Sequence, residues 1–134
     1  MATTTATITI SSTDLLSDEL ALSTTATLTQ AGNSTGLTGA QGLSRKTVSG
    51  GHAQYTLFDG DDYTANKAHK LYLKNTSTNA AEYFEIEVNS EQIGRLYAGD
   101  WAFFPWMANA STNDIKIDPS ANSMVLEYML FTDE

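Results

Sequence analysis

At 134 residues the chain has length for one domain around a single core, and not for two. Its formal net charge of −9 argues against a nucleic-acid ligand, whose phosphates it would repel, and the absence of cysteine removes disulfides and thiolate metal sites. With 41% hydrophobic residues, 17% charged residues and no bilayer-length apolar run, it reads as a globular protein without a membrane partner.

The opening, MATTTATITISSTDLLSDEL, has no Lys or Arg and no apolar run, which is unlike a secretory signal. Ala6, Ile8 and Ile10 alternate with Thr7 and Thr9 as a strand does, and residues 1–11 are expected to form an extended N-terminal arm. A short helical turn over 12–19, capped by Ser12 or Thr13, is expected next. Leu20 to Leu28 reads as a long, half-polar strand. The segment 30–44, with Gly32, Gly36, Gly39 and Gly42, reads as a flexible contact loop without the spacing of a phosphate-binding fingerprint.

Beyond it, short strands follow one another: QYTLF (54–58), LYLKN (71–75), EYFEIEV (82–88), IGRLY, WAFFPW, DIKID (114–118) and MVLEYMLF (124–131). In the third, Phe84, Ile86 and Val88 point inward and Glu85 and Glu87 outward. No long helix competes. The expected fold is therefore all-β, a single antiparallel β-sandwich or jelly-roll-like barrel over 12–134.

Two strands carry apolar residues on both faces. Trp101 and Phe103 share one face of WAFFPW, and Ala102, Phe104 and Trp106 the other. In the last strand Met124, Leu126, Tyr128 and Leu130 oppose Val125, Met129 and Phe131. A sheet with one wet side does not require this pattern. The second face is read as a contact with another subunit, because aromatic and Met side chains are favoured at interfaces; a strand deep in the sandwich with ordinary surface apolar residues on the other, or a sugar-stacking platform, are the alternatives. Pro105 cannot donate to a ladder, so its strand is expected to end or lie at an edge there.

Evidence for chemistry is thin. His52 and His69 lack metal-ligand spacing and are expected at the surface. Asp59, Asp61 and Asp62 fall in one turn without the full calcium-loop pattern, and a solvated hairpin turn is expected. Glu82, Glu85, Glu87 and Glu91 read as the wet side of a strand, and no serine lies in a nucleophile-elbow context. No catalytic residue, cofactor or metal is expected. The triplets at Asn33, Asn75 and Asn109 match a glycosylation pattern by chance in so Asn- and Thr-rich a chain.

Several stretches together resemble small structural proteins of tailed-bacteriophage particles: the Thr-rich opening, RKT after the Gly-rich loop, LYLKN, EIEVNSEQIGRLYAGDWAFFPW and the terminal VLEYMLF. Within that group the chain is most similar to head decoration, or cement, proteins. The resemblance implies a non-enzymatic homo-oligomer, most often a trimer, made in the host bacterial cytoplasm. It would sit on the outer capsid surface and clamp neighbouring major capsid subunits. A tail, neck or fibre-associated protein gripping a host glycan is the alternative. Residues assigned to subunit or capsid contacts are Ile8 and Ile10 in the arm, Trp101, Phe103, Phe104 and Trp106, and Met129 and Phe131.

Overall fold

The computed structural model describes residues 3–110 and 112–134; of the expected arm, Met1 and Ala2 lie outside the described residues. Eleven strands follow in chain order: β1 (Thr4–Ser12), β2 (Leu20–Leu28), β3 (Gly39–Ala40), β4 (Ser44–Val48), β5 (Tyr55–Phe58), β6 (His69–Asn75), β7 (Tyr83–Val88), β8 (Glu91–Tyr97), β9 (Trp101–Trp106), β10 (Ile115–Pro119) and β11 (Met124–Thr132). They form three antiparallel sheets, none closed into a barrel. These are a ribbon β1-β2, a four-stranded sheet β5-β10-β7-β8 and a five-stranded sheet β3-β11-β6-β9 with β4 also on β11.

One apolar cluster draws on both larger sheets. The four-stranded sheet supplies Phe84, Ile86, Ile115 and Ile117, and the five-stranded sheet supplies Leu71, Leu73, Leu126 and Leu130. Strict alternation produces this: in β7 Phe84 and Ile86 are buried, while Glu85 and Glu87 lie only half-buried on the other side. Each large side chain so enclosed contributes about 1.5–3 kcal/mol by area.

Buried polar groups tie the sheet ends together. Asn75, at the end of β6, donates from Nδ2 to the carbonyls of Leu96 (3.0 Å) and Glu82 (3.2 Å) and accepts at Oδ1 from Ser77 N–H (3.0 Å). The Asp133 carboxylate accepts from Ala31 N–H (2.9 Å) and Ala68 N–H (3.1 Å), fastening the chain just after β2 to the body. Burial, the largest single influence, raises its pKa, but those two backbone donors together with nearby positive charge, Lys67 first, hold it below the ordinary aspartate value.

Several expectations need correction. Residues 13–19 form no helix. Ser12 Oγ does accept from Leu15 N–H (3.0 Å), as a cap would, but the chain turns back into β2 before a second helical turn could form. The Gly-rich segment is not all loop: Leu37 is buried, and Gly39–Ala40 pairs with Phe131 and Thr132. The acidic turn is a 3₁₀ segment, Gly60–Asp62, with Asp59 as its N-cap, and does not join paired strands. Gly60 is required there, since a Cβ would meet Asn109 O at 2.6 Å. His69 is fully buried, not at the surface. Its Nδ1 accepts from Asp133 N–H (3.2 Å), which leaves Nε2 to donate to Thr64 O (3.1 Å).

Candidate interaction surface

The five-stranded sheet has two apolar faces, and the body covers only one. Pairing places Phe103 beside Tyr72 and Tyr72 beside Met129, and in the next row Trp101 beside Lys74 and Lys74 beside Glu127. Because side chains opposite one another share a face, these project outward together. Phe103 and Phe131 meet edge to face at 6.1 Å. Trp101, at the strand end, remains 51% exposed.

A polar seam crosses this face. Glu127 accepts from Arg45 Nε (2.9 Å) and from the Tyr72 hydroxyl (3.1 Å). The Arg45 hydrogen bond, helped by the Tyr72 one against the opposing effect of burial, keeps the Glu127 carboxyl below its usual range. Burial and the bond to Glu127 push the Tyr72 hydroxyl up, and burial pulls Lys70 down. With both Glu127 oxygens engaged, the seam is a satisfied structural network and presents no free acid–base pair.

The ribbon borders the face. Thr4, Ala6 and Ile8 are half-buried while β2 is exposed along most of its length. A groove of about 560 Å³ lies between Ala6–Ile8 and the sheet, walled by Leu43, Tyr72, Trp101, Phe103, Met129 and Phe131. Ile10 lies past the groove and is exposed beside its partner Leu22.

The eight residues assigned to contacts from sequence therefore divide. Ile8, Trp101, Phe103, Met129 and Phe131 come together on the groove. Ile10 is separate, on the outer half of the ribbon. Trp106, 3% exposed, faces inward with its indole N–H donating to Asn113 O (2.7 Å), and Phe104 packs against the core. Trp106 cannot meet a partner while the fold is intact and leaves the contact set, whereas Phe104, half-buried, borders a smaller groove with Ile93 and Arg95, apart from the main one. Pro105 does lie on an edge, because β9 ends the sheet. Sequence reading missed Leu43, Tyr72, Lys74 and Glu127 as parts of this surface. Alternation in LYLKN was the available signal for Tyr72 and Lys74.

Among the described residues no three His, Asp or Glu side chains converge to hold a metal ion, and no helix is long and apolar enough to cross a membrane. No protein-family model, curated protein or solved structure matches this chain.

Proposed function

We propose that this protein is a non-enzymatic structural component of a tailed-bacteriophage particle, a head decoration protein. It assembles as a homo-oligomer, most simply a trimer, on the outer capsid surface and clamps neighbouring major capsid subunits. In this reading the two larger sheets face each other as one β-sandwich, and the ribbon is its arm. The phage assignment rests on the resemblance of the quoted stretches. The physical support is the outer face of the five-stranded sheet: Trp101, Phe103, Met129 and Phe131 form a groove wall that the chain leaves partly open. Protein contact is the role that such a half-covered aromatic and Met surface serves best. Many equivalent weak contacts around a capsid junction would add through avidity.

Co-sedimentation with expanded capsids lacking the protein tests this directly. Saturable binding, abolished by Phe103→Glu, is the expected result. Failure to bind any capsid state would overturn it. Retention on a glycan array, lost in Trp101→Ala, would favour the fibre-associated alternative, in which exposed Trp101 beside Lys74 serves as a sugar platform.

A further inference from the structure

The ribbon tip and the apolar sheet face carry opposite charge. The first 44 residues contain Asp14, Asp18 and Glu19 and no Lys or Arg. All three acids sit in the loop joining β1 to β2, around Leu15 and Leu16, which are 72% and 58% exposed. Ser12 braces this loop: its hydroxyl donates to Asp14 Oδ1 (3.0 Å) and accepts from Leu15 N–H (3.0 Å).

The face of the five-stranded sheet has the reverse character. Arg45, Lys70 and Lys74 project from it, against Glu127 as the one carboxylate of its strands, in a chain of net charge −9. Arg45 is engaged with Glu127. Lys70 and Lys74 form no ion pair among the described residues and lie on either side of Tyr72 on β6, between Phe103 on β9 and Met129 and Phe131 on β11, with Lys70 Nζ donating to Ala68 O.

The tip cannot reach its own face. The ribbon is nine residue pairs long, about 30 Å, and is paired throughout. Only its inner half, Ala6–Ile8, borders the groove, so the tip lies beyond it. A stiff ribbon does not fold back on itself.

We infer that the acidic, leucine-bearing tip of one copy docks on the five-stranded sheet of a second copy. Leu15 and Leu16 pack against Trp101 and Phe103, with Asp14, Asp18 and Glu19 facing Lys70 and Lys74. Apolar burial supplies the affinity, and the charges set orientation and encounter rate. Tip and face are different surfaces, so the contact is either exchanged reciprocally about a two-fold axis or repeated head-to-tail, closing into a ring or running on. This deepens the assembly reading above but does not depend on a capsid.

A chain without cysteine makes the test clean. Leu16→Cys protein is mixed with Trp101→Cys protein, oxidised, and compared with Leu16→Cys mixed with Thr56→Cys, on the other sheet. Mixed disulfide several-fold above that control is expected; a yield equal to the control overturns the docking. Charge exchange is the second arm, read by sedimentation. Lys70→Glu with Lys74→Glu, or Asp14→Lys with Asp18→Lys and Glu19→Lys, weakens self-association roughly tenfold, and mixing the two variants restores it. A mixture no better than either variant alone, or a wild-type protein monomeric throughout, overturns the inference. Capsid binding without the cross-link would remove this docking and leave the decoration reading standing. The cross-link in a protein that ignores capsids would do the reverse.

Discussion

The outer faces of the two larger sheets are built from the same alternation and end in opposite states. On the four-stranded sheet, Glu85 accepts from Arg95 Nε at 2.8 Å, Arg95 lies over the Tyr83 ring at 4.3 Å, and Lys116 reaches Ser90 and Asp114. That face is charged and mostly paired, with one buried acceptor, Asp118 Oδ1 beside Glu85, left without a hydrogen-bond partner among the described residues. On the five-stranded sheet the polar seam around Glu127 is complete, yet the aromatic and Met side chains beside it meet only the inner half of a ribbon. One face is dominated by charged pairs, with Tyr97 as its exposed ring. The other is left partly uncovered, and that difference is the ground on which we propose it as the contact surface.

The sharpest way to break the comparison is to place a charge on each face. Phe103→Glu should reduce self-association or capsid binding by about a hundredfold, since it removes a large buried aromatic and desolvates a carboxylate. Lys116→Glu on the opposite face should change binding less than about threefold. Titration by sedimentation checks both, and equal losses would erase the distinction between the faces.

The two tryptophans sharpen it next. Trp106→Ala empties a core site and should cost about 3–5 kcal/mol of stability in denaturant unfolding. Trp101→Ala should cost less than about 1 kcal/mol, because half of its ring already faces water, and should act on assembly instead. A large stability loss at Trp101 would mean that the ring packs inward.

A smaller effect concerns the root of the ribbon. Asp133 has its pKa lowered from 3.8 in the folded chain, so its contribution is whole well above that value and disappears as pH falls through the lowered folded value. Melting temperature should therefore drop on acidification below about pH 4. Asp133→Asn should be less stable at neutral pH, with a shallower acid decline. An unchanged acid limb would show that the carboxylate does not hold the ribbon root.

The smallest effect belongs to the charged face. Arg95→Gln removes a solvent-exposed pair with Glu85 and should leave both melting temperature and binding unchanged within error.

Much of the strand content was legible because alternation and turn residues agree in β7, β9, β10 and β11. Gly39–Ala40 and Ser44–Val48 were not, for a physical reason. The first has almost no side chain to alternate, and the second is polar at four of its five positions. Their strand character comes from hydrogen-bonding to β11, a tertiary effect. Alternation also separated Trp101 and Phe103 from Phe104 and Trp106. It could not say which set faced inward, because both are apolar. Burial of His69 depended on Thr64 and Asp133, which the fold brings to its ring. The ribbon was half visible: β1 and β2 both read as strands, but their pairing with each other alone is a property of the whole chain.

Oxidative footprinting of free and assembled protein tests the central claim most directly, because reporter residues lie on both faces. Assembly on its partner should lower modification of Trp101 and Met129, on the five-stranded sheet, at least several-fold, while Tyr97 on the four-stranded sheet stays as reactive as in the free chain. Undiminished modification of Trp101 and Met129, or protection of Tyr97 in their place, would contradict it.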